Sequence, residues 1–92
     1  MLMAPAMATS PAEIRGKTYA LKHCARCHSI DLTSRSRLKA ALPFRTLHER
    51  YPVETLAEAF AEGIYTGHPT MPGFALDPDQ IHDLLAFLKT LE

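Results

Sequence analysis

The amino-acid sequence predicts an all-α fold, and three observations support this prediction. Two segments, residues 10–13 and 77–80, carry the pattern of a helix N-terminus: a capping Ser or Asp, proline at the first helical position, and Glu or Gln three residues after the cap. Apolar residues recur at helical spacing after both segments. No stretch alternates apolar and polar residues with the period of two that is typical of a half-buried strand.

Length and composition set limits on this fold. The 92 residues suffice for one small domain, a size at which a covalent staple or a cofactor usually adds stability. Ten Lys and Arg residues balance ten Asp and Glu residues, so the chain has no basic field that would attract nucleic acid. The apolar runs fall well short of the roughly 20 residues that span a bilayer. We therefore expect a soluble monomer that neither binds nucleic acid nor spans a membrane.

The first eight residues, MLMAPAMA, differ in character from the rest of the chain. They are apolar and uncharged and end in Ala-Met-Ala, the small-x-small pattern that signal peptidase recognises. We expect residues 1–8 to be the remnant of a signal peptide and residues 9–92 to form the folded domain of an exported protein. The alternative is that these eight residues are the disordered start of a cytosolic protein.

The first predicted helix covers residues 11–23. Gly16, Ala20 and Cys24 recur along it at helical spacing, so one face of the helix carries only small side chains, and we expect another element to pack closely against it. Residues 29–42 are rich in polar and cationic side chains and predict a solvated loop.

A second predicted helix covers residues 53–62, and Gly63 or Gly67 is expected to end it, because helices commonly end at a glycine. The segment 68–74 contains two prolines, each of which restricts itself and the residue before it, so we expect a stiff loop. The last predicted helix begins at Pro78 and continues to the C-terminus. Its apolar residues have amphipathic spacing: Ile81, Leu84, Leu85, Leu88 and Leu91.

The segment HCARCHSI, residues 23–30, contains both cysteines of the chain and two of its five histidines. A closed zinc site usually needs two pairs of ligands, and this chain has a single Cys pair. A Cys-x-x-Cys redox switch normally follows a strand, and the sequence predicts none. Cys-x-x-Cys-His is also the attachment motif of c-type haem, in which two thiols add to the porphyrin vinyl groups and the histidine binds the iron. Cys24, Cys27 and His28 satisfy this motif, so haem attachment is the favoured interpretation.

A haem iron with one histidine ligand either takes a second ligand or keeps an open site, and Met71 is the strongest candidate for the second ligand. Its thioether is a soft donor, and the prolines at 69 and 72 stiffen the loop that carries it. The other three methionines lie in residues 1–8, so Met71 is the only methionine of the predicted domain. Three histidines are competing ligands: His48, His68 and His82.

This ordered set of motifs resembles the class I cytochromes c, especially the short bacterial periplasmic ones. The resemblance covers roughly residues 10–92 and rests on CARCH near the N-terminus, TMP about two-thirds along, and a closing helix of the form IxxLLAFLKxL. It implies the class I cytochrome c fold, with three to five short helices around one covalently bound haem, and a periplasmic location. It also implies that the first helix, around Gly16, crosses the last helix at Leu84 and Phe87.

The resemblance further implies which residues surround the haem. In the family a proline carbonyl accepts a hydrogen bond from the free ring nitrogen of the iron-ligating histidine, and Pro43 looks like that proline; such a bond fixes the tautomer and raises the basicity of the ligand. Family members have Trp or Tyr and Arg around the buried propionate, and the substitutes here are Arg45, Tyr51 and His68. The residues expected to form the apolar lining of the haem are Leu47, Leu56, Phe60, Ile64, Phe74 and Leu85. Membership of an ordinary hydrophobic core would explain these apolar residues equally well.

The implied function is electron transfer by a single haem c. The iron would cycle between Fe(III) and Fe(II) with His28 and Met71 as ligands, and membrane or periplasmic oxidoreductases would be its redox partners. The sequence offers no paired carboxylates and no nucleophile with a neighbouring base, so we expect an electron-transfer protein rather than an enzyme. Two alternatives remain: a gas-binding or sensor haem domain in which Met71 is displaceable, and a haem subunit of a larger oxidoreductase.

Overall fold

The computed structural model describes residues 10–63 and 75–92, and in these ranges every regular element is helical. Short 3₁₀ turns at Phe44–Thr46 and Val53–Thr55 lead directly into α-helices. The α-helices are α1 (Pro11–His23), α2 (Leu47–Arg50), α3 (Leu56–Glu62) and α4 (Pro78–Lys89). The predicted all-α class is confirmed. Within the described ranges, none of the helices has the length and apolar character needed to cross a membrane.

Both predicted helix starts are confirmed, and each is a capping box. At α1, the Ser10 hydroxyl accepts the backbone N–H of Glu13 at 3.1 Å, and the Glu13 carboxylate accepts the N–H of Ser10 at 3.4 Å. At α4, the Asp77 carboxylate accepts the N–H of Gln80 at 2.9 Å, and the Gln80 amide oxygen accepts the N–H of Asp77 at 3.1 Å. Each box satisfies backbone donors that the first turn of a helix leaves without an intrahelical partner.

The helix predicted over residues 53–62 is confirmed, with its first turn wound as a 3₁₀ turn and the remainder as α3. In that first turn, the carbonyl of Pro52 accepts both the N–H and the hydroxyl of Thr55, at 3.0 and 2.7 Å. α3 ends where Gly63 adopts a φ of 101°, a conformation that glycine reaches without steric cost. Of the two glycines predicted to end this helix, Gly63 does so, and Gly67 lies outside the described residues.

The last helix ends earlier than the sequence predicts. α4 stops at Lys89, and the N–H groups of Thr90 and Leu91 bond to carbonyl groups three residues back, at 2.9 and 3.0 Å. The Thr90 hydroxyl donates to the carbonyl of Phe87 at 2.6 Å and so competes with the α-helical ladder at this point. Leu91 nevertheless stays buried, so the apolar face of α4 continues past the end of the helix.

The site of close packing predicted on α1 is the point where α1 and α4 cross. A Cβ atom added to Gly16 would lie 2.7 Å from the carbonyl carbon of Asp83, 2.8 Å from Cβ of Phe87, and in contact with the Asp83 carbonyl oxygen. These separations are much shorter than van der Waals contact distances. The two backbones can therefore approach this closely only because residue 16 has no side chain. Ala20, one turn further along α1, is fully buried. The crossing implied by the family resemblance is thereby confirmed.

An ion pair joins the two helices at the rim of the same crossing. Arg15 donates Nε and Nη2 to the two carboxylate oxygens of Asp83, at 2.9 and 3.1 Å. The hydrogen bond from Arg15 lowers the pKa of the Asp83 carboxyl below its ordinary value. Because the Arg15 side chain is 61% exposed, water screens this pair, and its bidentate geometry matters more for helix alignment than for stability.

The core is built around α4, which contacts both α1 and α3. Leu84 and Leu88 are its most deeply buried large side chains, each 2% exposed. The other members of this core are Ala20, Ile30, Val53, Phe60, Leu76, Ile81, Phe87 and Leu91. Half-buried side chains pack against them, among them Cys24, so the end of α1 that carries the Cys-x-x-Cys-His motif is part of the core.

We expect Gly16→Ala to lower the free energy of unfolding by about 1–3 kcal/mol, because the added methyl group overlaps the backbone of α4. A decrease in the free energy of unfolding is diagnostic, because replacing Gly by Ala inside a helix normally stabilises the helix by roughly 0.8–1 kcal/mol. Urea denaturation measures the change. Lys22→Ala, at an exposed position of the same helix, serves as the control and should change the free energy of unfolding by less than about 0.5 kcal/mol. A Gly16→Ala protein of equal or higher stability would contradict the close crossing.

Candidate haem-attachment site

The Cys-x-x-Cys-His motif forms a tight turn directly at the end of α1. Cys24 is the C-terminal cap of this helix, and its N–H bonds to the carbonyl of Ala20 at 2.8 Å. The carbonyl of Cys24 then accepts the N–H groups of Cys27 and His28, at 3.2 and 3.0 Å. These bonds keep the two thiols and the imidazole within one turn of chain, the compact arrangement that attachment to one edge of a porphyrin requires.

The side chains of both motif cysteines are half-buried. As a free thiol, Cys24 has a pKa that burial raises to about 11. The thiolate is the reactive species in thiol–disulfide exchange, and the reactive cysteines of redox switches have lowered pKa values, so Cys24 lacks the character of such a cysteine. Among the described residues, no three His, Cys, Asp or Glu side chains converge in a way that could hold a metal ion.

The imidazole of His28 is held in one orientation by two neighbours. Its Nδ1 lies 2.7 Å from the carbonyl oxygen of Leu42, and its ring lies against that of Phe44, with 5.0 Å between the ring centroids and 40° between the planes. Because a carbonyl oxygen can only accept, Nδ1 carries the proton and donates it. The lone pair is therefore on Nε2, which is the state of histidine that binds a metal. This geometry fits a haem iron bound at Nε2 of His28.

The prediction that Pro43 supplies the carbonyl acceptor for His28 is wrong by one residue. The carbonyl of Pro43 accepts the N–H and the hydroxyl of Thr46, at 3.0 and 2.7 Å, because Pro43 caps the 3₁₀ turn that follows it. The carbonyl of Leu42 stands before that turn and remains available to the imidazole. Pro43 acts indirectly, since the ring of a proline restricts the residue before it and so limits where the Leu42 carbonyl can point.

Backbone hydrogen bonds hold the chain on both sides of His28. The N–H of Leu38 donates to the carbonyl of Cys27 at 3.0 Å, and the N–H of Phe44 donates to the carbonyl of Ser29 at 2.9 Å. The loop over residues 29–42 thus returns to lie beside the motif, and the Leu42 carbonyl arrives opposite the imidazole. This return is the structural basis of the hydrogen bond between Leu42 and His28.

A family comparison agrees with this geometry: the family model described as Cytochrome c matches residues 14–92. The chain belongs to the cytochrome c family. Its cofactor is a covalently bound haem c, and its general activity is haem-based electron transfer. Neither the curated proteins nor the solved structures gave a match to this chain.

In this cytochrome, the guanidinium group of Arg45, expected near a haem propionate, bonds to the loop that follows the motif. Its Nη1 donates to the carbonyl of Ser34 at 2.8 Å, to the hydroxyl of Ser29 at 3.2 Å and to the carbonyl of Asp31 at 3.4 Å. Tyr51, at the end of α2, is 48% exposed. The propionate contacts of these two residues stay predictions.

Phe60, expected in the apolar lining of the haem, is a buried core residue of α3, and its carbonyl accepts the N–H of Leu76 at 2.8 Å. Three other side chains predicted to line the haem are half-buried and pack against the same core: Leu47, Leu56 and Leu85. Their contact with the porphyrin stays a prediction. Four further predicted site residues lie outside the described residues: Ile64, His68, Met71 and Phe74.

Three residues that hold His28 in place were not predicted: Ser29, Leu42 and Phe44. For Leu42 a local signal exists, since a proline that caps a helical turn uses its own carbonyl and leaves the preceding one for other partners. Ser29 is only 4% exposed, and its N–H, carbonyl and hydroxyl are all hydrogen bonded. A buried serine of this kind has no signature in the sequence, because its partners come from distant positions.

Within the loop, the carboxylate of Asp31 organises a turn. One oxygen accepts the N–H groups of Thr33 and Ser34, at 2.9 and 2.6 Å, and the other accepts the hydroxyl of Ser34 at 2.7 Å. These bonds, first of all the one from the Ser34 N–H, lower the pKa of Asp31 to about 2. The loop predicted as solvated therefore has a defined shape, and it buries Ser29, Ile30 and Ala41 while most of its other residues are exposed.

The covalent attachment leads to a direct prediction. Haem bound through thioether bonds to Cys24 and Cys27 should stay with the denatured protein in acidified organic solvent, and the intact mass should include one haem. The double variant Cys24→Ala/Cys27→Ala should release all of its haem under the same treatment. Wild-type protein that loses its colour to the solvent would contradict thioether attachment.

The turn at Asp31 predicts a pH dependence. Since the folded pKa of about 2 is below the ordinary value of 3.8, the ionised carboxylate stabilises the fold above about pH 4, and this contribution is lost as the pH falls toward 2. The stability difference between wild type and Asp31→Asn should therefore shrink between pH 5 and about pH 2. Urea denaturation at a series of pH values measures it. Glu58→Gln, at an exposed position of α3, is the control. A pH-independent difference for Asp31→Asn would contradict the role of the charge.

Proposed function

We propose that this cytochrome is a soluble electron carrier of the periplasm whose single haem iron is ligated by His28 and Met71. The observation that carries the proposal is the 2.7 Å hydrogen bond from Nδ1 of His28 to the carbonyl of Leu42. It leaves Nε2 for the iron, keeps the imidazole in one orientation in both redox states, and raises its basicity as a ligand. A ligand held in this way undergoes little rearrangement when the iron gains or loses an electron.

The proposed second ligand, Met71, is supported by its chemistry and by its position in the sequence. Its thioether carries no proton and is a soft donor, suited to iron in both oxidation states. The prolines at 69 and 72 restrict the backbone on either side of it, which lowers the entropy lost when a weak iron–sulfur bond forms. Met71 is also the only methionine after residue 8.

The proposed location and partners rest on other features. The apolar, uncharged segment 1–8 ends in the pattern of a signal-peptidase site, which favours export to the periplasm. The partners would be membrane or periplasmic oxidoreductases that give electrons to the haem and take them from it. Since the formal net charge is zero, long-range attraction cannot dominate these encounters, and we expect contact to depend on the local surface around the haem edge.

Carbon monoxide separates an electron carrier from a gas-binding protein. We expect the wild-type ferrous protein to bind carbon monoxide poorly near neutral pH, because Met71 occupies the sixth position and its stiff loop must move as a unit to vacate it. Met71→Ala should bind carbon monoxide readily. Met71→His should keep the site closed and lower the reduction potential, since His/Met ligation sits toward the high end of haem potentials.

Visible absorption spectroscopy and redox titration measure these effects. Leu32→Ala, at a position where the leucine is 61% exposed, is the control and should leave both carbon monoxide binding and the potential unchanged. Rapid, tight binding of carbon monoxide by the wild-type ferrous protein, together with a high-spin resting spectrum, would contradict the carrier function and favour the gas-binding alternative.

A further inference from the structure

Arg45 connects the loop after the haem motif to the short helical turn that follows Leu42. We propose that Arg45 is a positioning residue for the iron-ligating histidine: it holds the turn Phe44–Thr46 against residues 29–34 and so fixes the Leu42 carbonyl on Nδ1 of His28. The proposal rests on the proposed ligation of iron by His28, and it is independent of the sixth ligand.

The first step of the argument is the set of contacts that Arg45 makes. A single guanidinium nitrogen, Nη1, reaches the Ser34 carbonyl at 2.8 Å, the Ser29 hydroxyl at 3.2 Å and the Asp31 carbonyl at 3.4 Å. These acceptors lie 11 to 16 positions earlier in the chain. Bonds of this kind, with a charged donor, are stronger than bonds between neutral groups. Arg45 thus joins the loop of residues 29–34 to the turn Phe44–Thr46, two segments that no shared helix or sheet holds together.

The second step is the position of Ser29, which directly follows His28. Ser29 is buried, and its hydroxyl lies 3.0 Å from that of Ser34 as well as within reach of Arg45. Its N–H donates to the hydroxyl of Ser36 at 3.0 Å, and its carbonyl accepts the N–H of Phe44. Any displacement of Arg45 therefore acts on the residue next to the histidine, because a buried serine with all its polar groups engaged cannot move alone.

The third step concerns the Leu42 carbonyl itself. It precedes Pro43, whose own carbonyl is bound by Thr46, so Leu42, Pro43 and the 3₁₀ turn move as one unit. Two sets of hydrogen bonds hold this unit against the loop: the Phe44 N–H on the Ser29 carbonyl and the Arg45 guanidinium on the loop acceptors. Loss of the Arg45 contacts leaves one backbone hydrogen bond and the packing of the Phe44 ring to hold the unit, and the bond between His28 and Leu42 weakens.

The consequence for the iron has a definite direction. A strong hydrogen bond from Nδ1 makes the imidazole a more basic ligand, which favours Fe(III) over Fe(II) and lowers the potential. Weakening that bond therefore raises the potential. Removing a positive charge near the iron has the opposite effect, because the ferric state is repelled less and the potential falls. The positioning role and a purely electrostatic role of Arg45 thus predict shifts of opposite sign.

Arg45→Lys tests the proposal, because it keeps the charge but replaces the planar fork by a compact ammonium group that cannot make the same contacts. We expect a higher reduction potential than in the wild type. We also expect the Nδ1 proton of His28 in the ferrous protein to exchange with solvent about tenfold faster by NMR, the factor that corresponds to the net worth of one hydrogen bond. Arg37→Met, at an exposed position of the same loop, is the charge control and should lower the potential slightly or leave it unchanged, with unchanged exchange.

Ser29→Ala is the second variant, and it keeps the proposal testable if Arg45→Lys folds poorly. It removes one acceptor of Arg45. We expect it to raise the reduction potential and to speed the exchange of the His28 Nδ1 proton, as Arg45→Lys does, but by smaller amounts. In Ser29→Ala/Arg45→Lys the two effects should not add, because both variants break the same network. Additive effects, or a potential and an exchange rate equal to those of the wild type in both single variants, would overturn the positioning role.

The same NMR spectra separate this proposal from the proposed function. An imidazole bound to ferrous iron lies directly under the porphyrin, whose ring current shifts its carbon-bound protons strongly upfield. If the His28 protons lack this shift, His28 is not the ligand and the proposed function fails. If they show the shift and Arg45→Lys leaves exchange and potential unchanged, only the positioning role of Arg45 fails.

Discussion

The close approach of α1 and α4 at Gly16 is the contact on which the rest of the molecule depends. It sets the direction of α1, which ends at His23 and is capped by Cys24, and Cys24 packs against the core that the two helices share. The position of the attachment motif relative to the core is therefore decided two turns before the motif begins. A packed interior has few alternative arrangements, so a side chain at the crossing would move the motif as well as the helix.

Past the motif, order comes from polar side chains instead of regular secondary structure. Residues 29–42 contain no helix, yet Asp31 holds a turn and Arg45 bonds to three acceptors in the loop. The loop leaves the motif after His28 and returns to present the Leu42 carbonyl to the same imidazole. This arrangement lets a loop without regular secondary structure orient the imidazole of His28, because buried groups such as Ser29 have all their hydrogen bonds satisfied.

In a chain of this small size, a covalently attached haem would add substantially to the core. A domain of 92 residues buries a limited core, and here the motif cysteine Cys24 packs against it. Thioether bonds at Cys24 and Cys27 would attach the porphyrin beside that core and extend it. The cofactor thereby supplies apolar volume, while the protein supplies an imidazole in a defined tautomer and a defined orientation.

The sequence by itself determined whatever depends on near neighbours in the chain. The capping residues Ser10 and Asp77 and the helix end at Gly63 are local patterns, and the structure confirms the elements they predict. The Cys-x-x-Cys-His motif is local as well, and the family comparison agrees with the haem c that it predicts. A distant resemblance added the crossing at Gly16, which the glycine alone did not assign to a partner helix.

Only the tertiary structure decided which carbonyl meets His28 and what Arg45 binds. The prediction of Pro43 failed because its carbonyl is used by a helical turn of its own, and the choice between adjacent carbonyls depends on how a loop of 14 residues returns. Arg45 and Ser29 are 16 positions apart, and no local rule pairs them. Such pairings arise from the way folded segments satisfy each other's hydrogen bonds, which is a property of the whole chain.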